Sequence, residues 1–378
     1  MAITLIEPNT LNFAKNPIVF KATTNKTLGS EESMLRIVCN VTFQAMERTG
    51  LQFTTELSQP VEDAGTATFN LSDAAQTLIK RIHAELDMND SSALAHIGLH
   101  GYVNCNEVWV KDGHEVSGTG PASSNRFYVV PGAFTDFELL VKENVDLVEL
   151  TSSGKAMTRK PDGGILYKGE TIVLPTMVGS LSGGQSTASA SVIIGGVTIA
   201  QSASVVVGNS MDYQTTPSIT AESDGTFVFS SDLTGSVSGY YRANPSDVHF
   251  LRFINGFGAV ENIAVRSKDK LSYEVSGEEH SLVQEISTRS TDRRYADKKQ
   301  PVGAYELSSG YVPQRWAEWY VQELLTSPCV WIQIGGKWIP ALIESKDDCV
   351  IYDRSKPEMP HVDFTLRLAI DGVTGCVW

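Results

Sequence analysis

The sequence predicts a mainly β protein: two or three β-sandwich or barrel-like modules with a few short helices. Three observations carry this. Apolar and polar residues alternate with period two, as in Leu35, Ile37, Cys39, Val41 and Phe43, the pattern of half-buried strands. Gly-Gly pairs at 195–196 and 335–336 sit between apolar β-branched runs, the signature of tight hairpins. Finally, 378 residues exceed what one hydrophobic core usually serves.

Residues 1–150 read as a β-rich domain with one helix. After the strand Thr66–Phe69, Ala75, Leu78, Ile79, Ile82 and Leu86 recur at helical spacing, which predicts a helix over 73–86 with Ser72-Asp73 as its N-cap. Strands are expected at Gly101–Val110, Arg126–Val130 and Phe137–Leu140, with Gly113–Ser124 as a mobile polar loop. Thr151–Gly164 reads as a linker. Residues 165–285 are expected to form an Ig-like β-sandwich, closed by Val248–Ile254 and Ala259–Ser267. Ser287–Gln300 reads as a loop or crossing, and 286–378 as an α+β module. Its helix follows Pro313, with Trp316, Trp319, Tyr320 and Leu324 on one face.

The formal charge of −14 removes any bulk attraction for nucleic acid or anionic lipid, so neither is an expected partner. The N-terminus lacks a basic, then apolar, leader pattern, and no run approaches a membrane span. The five cysteines are dispersed, as in a chain made in a reducing cytoplasm.

Chemistry-bearing patterns are sparse. His96 and His100 lie four apart, but Gly98 and the β-like run that follows argue for structural histidines rather than a metal pair. There is no Gly-x-Ser-x-Gly elbow. Gly183-Gly184 begins a Gly/Ser stretch without a phosphate-binding Lys. Glu278-Glu279 and Asp347-Asp348 read as solvated turns. The basic cluster Arg289–Lys299 reads as a solvated face or a docking strip for an acidic neighbour. The expectation is therefore a binding protein, not an enzyme, with no catalytic residue, metal or cofactor.

Two features point to assembly. No Asp, Glu, Lys or Arg occurs from Thr171 to Met211, so the Gly195-Gly196 hairpin, with Val192, Ile194, Val197 and Ile199, is either buried in its own sandwich or covered by another subunit. Trp316, Trp319, Trp331 and Trp338 form a module core, a subunit anchor or a sugar-stacking platform. Val192, Ile194, Val197, Ile199, Trp316 and Trp319 are the candidate subunit interface.

A family resemblance joins these features. Phe250–Glu261 (Phe-Leu-Arg-Phe-Ile-Asn-Gly-Phe-Gly-Ala-Val-Glu), then Trp316-Ala317-Glu318-Trp319 through Glu323–Pro328 into Trp338–Ile343, resembles the layout of structural proteins in the virion gene blocks of tailed bacteriophages and prophages. The opening Asn12–Phe20 is similar to their N-terminal β-module. The likeness is one of layout and short phrases over most of the chain. It implies a tail, baseplate or connector component that forms a homo-oligomeric ring, binds other virion proteins and carries no catalytic residues. The alternative function is a carbohydrate- or surface-binding adhesin module.

Overall fold

The computed structural model describes residues 3–9, 11–45, 50–62, 65–89, 98–118, 120–133, 158–178, 185–207, 210–215, 219–231, 235–244, 247–286, 289–344 and 359–369. The chain is mainly β, as its alternation predicts, with strands in several sheets and a closed barrel.

In the N-terminal unit the larger sheet has the strand order Leu11–Phe13, Phe127–Val130, Leu99–Lys111, Glu32–Ala45, Gln52–Pro60. Its central pair sets Cys39 opposite Cys105 and Val41 opposite Val103. All four are buried, because alternation turns every second side chain of both strands to one face. Three further strands, Thr4–Ile6, Val19–Thr23 and Thr66–Asn70, form a smaller sheet. The helix Ser72–Ala84 buries Ala75, Leu78, Ile79 and Ile82. Its N-cap is Leu71, with no side-chain cap. The Asn70 carboxamide oxygen accepts the Ser72 N–H instead, at 3.2 Å.

The segment expected to be a mobile loop is structured. His114–Ser117 and Ala122–Ser123 both pair with Leu99–Lys111, because a two-residue turn at Asp112-Gly113 sets His114 opposite Lys111. Phe137–Leu140 and the first half of the expected linker lie outside the described residues, as do His96, Gly183-Gly184 and Asp347-Asp348.

The middle unit is a five-stranded sheet in the order Gly164–Tyr167, Gly235–Arg242, Gly225–Ser231, Gln185–Ile194, Val197–Val207. A separate pair joins Val173–Val178 to Ser210–Thr215. Both Gly-Gly hairpins form as expected. Gly195 and Gly196 have φ of 57° and 84°, and Gly335 and Gly336 of 57° and 78°, the doubly left-handed turn that glycine tolerates without steric cost.

The strand pairing corrects the expected division at 285/286. Val248–Ile254 and Val260–Ile286 do not close the middle sheet. They belong to a closed barrel in the order Val248–Ile254, Val260–Ile286, Arg289–Ser308, Asp363–Leu368, Lys337–Glu344, Val330–Ile334. The supposed crossing at 287–300 is largely the strand Arg289–Ser308, and Glu278-Glu279 lie in a ladder, not a turn. Backbone groups make that ladder whatever the side chains, so its polar composition concealed it. Within the barrel, Asn255–Gly258 turns the first strand into the second. The Asn255 carboxamide oxygen accepts the N–H groups of Phe257 (3.0 Å) and Ala259 (2.9 Å).

A helix, Gln314–Trp319, continues as a π-helical turn, Tyr320–Leu325, and packs Trp316, Trp319, Tyr320 and Leu324 into the barrel core. Trp319 lies edge-on to Phe253, 5.7 Å between centroids. The N-terminal unit and the barrel share one core, in which Phe13 and Phe20 join Ile254, Phe257, Val260 and Trp331. They interlock through backbone. A Cβ on Gly132 would lie 2.2 Å from Phe257, and one on Gly258 would lie 2.2 Å from Pro131. Asn89 and Trp338 seal the same seam by a reciprocal pair of hydrogen bonds (2.9 and 2.8 Å). Among the described residues no helix is long and apolar enough to cross a membrane.

Candidate functional site

Beyond the barrel, Val260–Ile286 and Arg289–Ser308 continue as a two-stranded ribbon. The neighbouring strand Val248–Ile254 covers the outgoing strand only as far as Arg266, and Asp363–Leu368 covers the returning strand only from Ala304. From Leu271 opposite Tyr305 to Ile286 opposite Arg289, the described ladder pairs these strands with each other alone. At the usual rise per residue the arm is about 50 Å long. Both of its edges present backbone donors and acceptors that no further described strand pairs, and a two-stranded hairpin without further cover is marginal in water.

The arm's charges are segregated by strand. Residues 271–286 hold Glu274, Glu278, Glu279 and Glu285 and no Lys or Arg, whereas 289–303 hold five basic residues and two acids. They are not matched in register across the ladder. Arg289, Arg293 and Arg294 stand opposite Ile286, Leu282 and Ser281, and Glu278 stands opposite Asp297. One edge strand is thus acidic and the other basic. The basic cluster singled out in the sequence is this second strand.

The residues expected at an interface are placed differently. Val192 and Ile194 are buried in the middle unit's own core, with Phe229 and Phe227 opposite in register. Ile199 is half-buried, while Val197 is 61% exposed. Trp316 and Trp319 are taken up by the barrel core, as is Trp331 by the core shared with the N-terminal unit. Of the six candidates, only Val197 offers an open side chain. The strand it begins, Val197–Val207, is the end of the five-stranded sheet.

A second constellation was missed in the sequence. Where the end of the expected linker meets the middle unit and the barrel, it carries buried charge. Arg159 donates to Glu323 Oε1 (2.7 Å) and to the Ala133 carbonyl (3.0 Å), and lies over the Phe257 ring at 3.9 Å. Glu323, 3% exposed on the π-helical turn, also accepts the Gly256 N–H. Next to this clamp is a cavity of about 80 Å³ lined by Lys160, Glu170, Glu261, Phe227, Phe229 and Trp316.

Glu170 accepts the Tyr167 N–H at 3.0 Å, and Glu261 Oε1 accepts from Asn255 at 2.7 Å. The Lys160 ammonium donates to the Asn262 carbonyl at 3.0 Å. Burial pushes both carboxyls up to about 7, with Lys160 pulling the other way. The available signal was Glu261 itself, an acid inside the apolar strand run Ala259–Val265, where a buried side chain is expected.

Among the described residues no group of three His, Cys, Asp or Glu side chains could hold a metal ion. The His100 ring lies against Tyr128 in a tilted contact, 5.0 Å between centroids. Burial, with Arg126 nearby, favours its neutral form.

No family model matches the chain, and no curated protein matches it. Among solved structures, a crystal structure of a mutant Salmonella alpha-2-macroglobulin matches with a TM-score of 0.25 and 8% identity, over 82% of this chain and 21% of that one. A likeness at that score carries no argument, and the chain spans about a fifth of the protein it matches.

Proposed function

We propose that this chain is a structural component of a bacteriophage virion, of the tail, baseplate or connector region, that assembles as a homo-oligomeric ring and binds neighbouring virion proteins. The observation that carries self-assembly is the arm: a ribbon whose two edges, of opposite charge, no described strand covers. The virion assignment rests on the family resemblance. Setting the basic strand of one copy beside the acidic strand of the next satisfies backbone and charge together. That contact is head-to-tail, and rotation about an axis along the arm makes the new pairs antiparallel and closes the ring, leaving no free edge. A two-fold contact would set acid against acid or base against base.

The test shortens the arm. Residues 274–302 are replaced by a two-residue glycine turn, which leaves every barrel strand in place. The full chain should form a discrete oligomer by light scattering, and the shortened chain a folded monomer that still melts cooperatively. A full chain that stays monomeric at micromolar concentration, or a shortened chain that still assembles, refutes assembly through the arm. Peptide mass spectrometry of purified particles checks the virion assignment separately.

A further inference from the structure

We propose that the cavity between the middle unit and the barrel binds one small organic monocation, a primary ammonium of methylammonium size, held by Glu261 and Glu170 against the aromatic walls of Trp316, Phe227 and Phe229. The first support is an orphaned acceptor. Glu261 is 2% exposed; the Thr158 hydroxyl supports its carboxyl, but no described donor reaches Oε2 in hydrogen-bonding geometry. A buried carboxylate oxygen left without a donor is costly, and such exceptions in folded proteins call for a ligand, ion or water.

The second support is charge. Among the described lining residues Lys160 is the only cation, against the two carboxyls of Glu170 and Glu261. Arg159 is committed to Glu323, whose own charge bears unfavourably on Glu261. Tyr320, which burial holds in its neutral form, adds no charge to this balance. With both carboxyls ionised the lining is one positive charge short.

The walls select the kind of cation. A metal ion would need a ring of oxygens, whereas aromatic and aliphatic walls suit an ammonium with a methyl group. A volume of about 80 Å³ is ample for methylammonium. At low pH a proton supplies the missing charge, which accords with carboxyls held up to about 7. Cation and proton then compete for the same site, and affinity should be weaker at pH 6 than at pH 8 by about tenfold or more.

The experiment titrates the full chain with methylammonium chloride, and with sodium chloride at matched ionic strength, following melting temperature and heat of binding. The expected result is a saturable rise in melting temperature with methylammonium alone, weaker at pH 6, lost in Glu261→Gln and strengthened in Lys160→Met. An equal rise with sodium chloride, no saturation, or unchanged affinity in Glu261→Gln overturns the proposal. If Glu261→Gln does not fold, saturation transfer from the wild-type protein to the methyl protons of methylammonium decides, and its absence likewise overturns it.

Discussion

Replacing Glu261 by Gln should change stability in a strongly pH-dependent way. Glu261 is buried, and its folded-state value of about 7 stands above the ordinary 4.5. An acid raised in the folded state binds its proton more tightly there than when unfolded. Its contribution is therefore fully present below pH 4.5 and is lost as pH rises through 7. The displacement corresponds to about 3 kcal/mol, most of it falling between about pH 5 and 8. The wild-type profile alone is a poor readout, because burial holds His83 down at about 4, and a depressed histidine contributes with the opposite sign over part of the same range. The difference between variant and wild type removes that contribution.

Glu261→Gln mimics the protonated form, so it should be near neutral at about pH 5 and stabilising by about 3 kcal/mol at about pH 8. Urea unfolding at both pH values, without added amine, measures this. A difference between variant and wild type that does not move with pH would show that Glu261 is solvated and that the junction reasoning is wrong.

Three further outcomes are expected. Ile194→Lys places a charge in the middle unit's core and should lower the stability of the isolated chain, whereas Val197→Lys, at a 61% exposed position, should leave its melting temperature unchanged; equal effects would contradict the packing. Trp319→Ala removes a ring packed edge-on against Phe253, Trp316 and Tyr320 and should cost about 3–5 kcal/mol by chemical denaturation. Reversing Arg289, Arg293 and Arg294 to Glu should abolish oligomers, as should reversing Glu274, Glu278 and Glu279 to Lys in a second variant, while mixing the two restores them by light scattering. Oligomers from either variant alone would exclude charge-matched arms.

Much of the local structure was legible in the sequence. Alternation located the strand through Cys39, helical spacing located Ser72–Ala84, and the two Gly-Gly pairs located their hairpins, because these depend on residues close in the chain. Trp316 and Trp319 share one helical face, so their spacing required a common apolar surface, and the fold settled which surface that is. What the tertiary structure alone decided is which strands pair. Val248–Ile254 reads equally well as the last strand of a sandwich or the first of a barrel, since alternation reports a buried face and not the identity of the neighbour. The arm was concealed for a related reason: a ladder is held by backbone hydrogen bonds, and Arg289–Lys299 has the composition of a loop. The junction was concealed because Lys160, Glu170 and Glu261 are up to about a hundred positions apart and come together only when the middle unit docks on the barrel. Lys160 and Glu170 look like ordinary surface charges in the sequence, and only burial in the folded chain changes their chemistry.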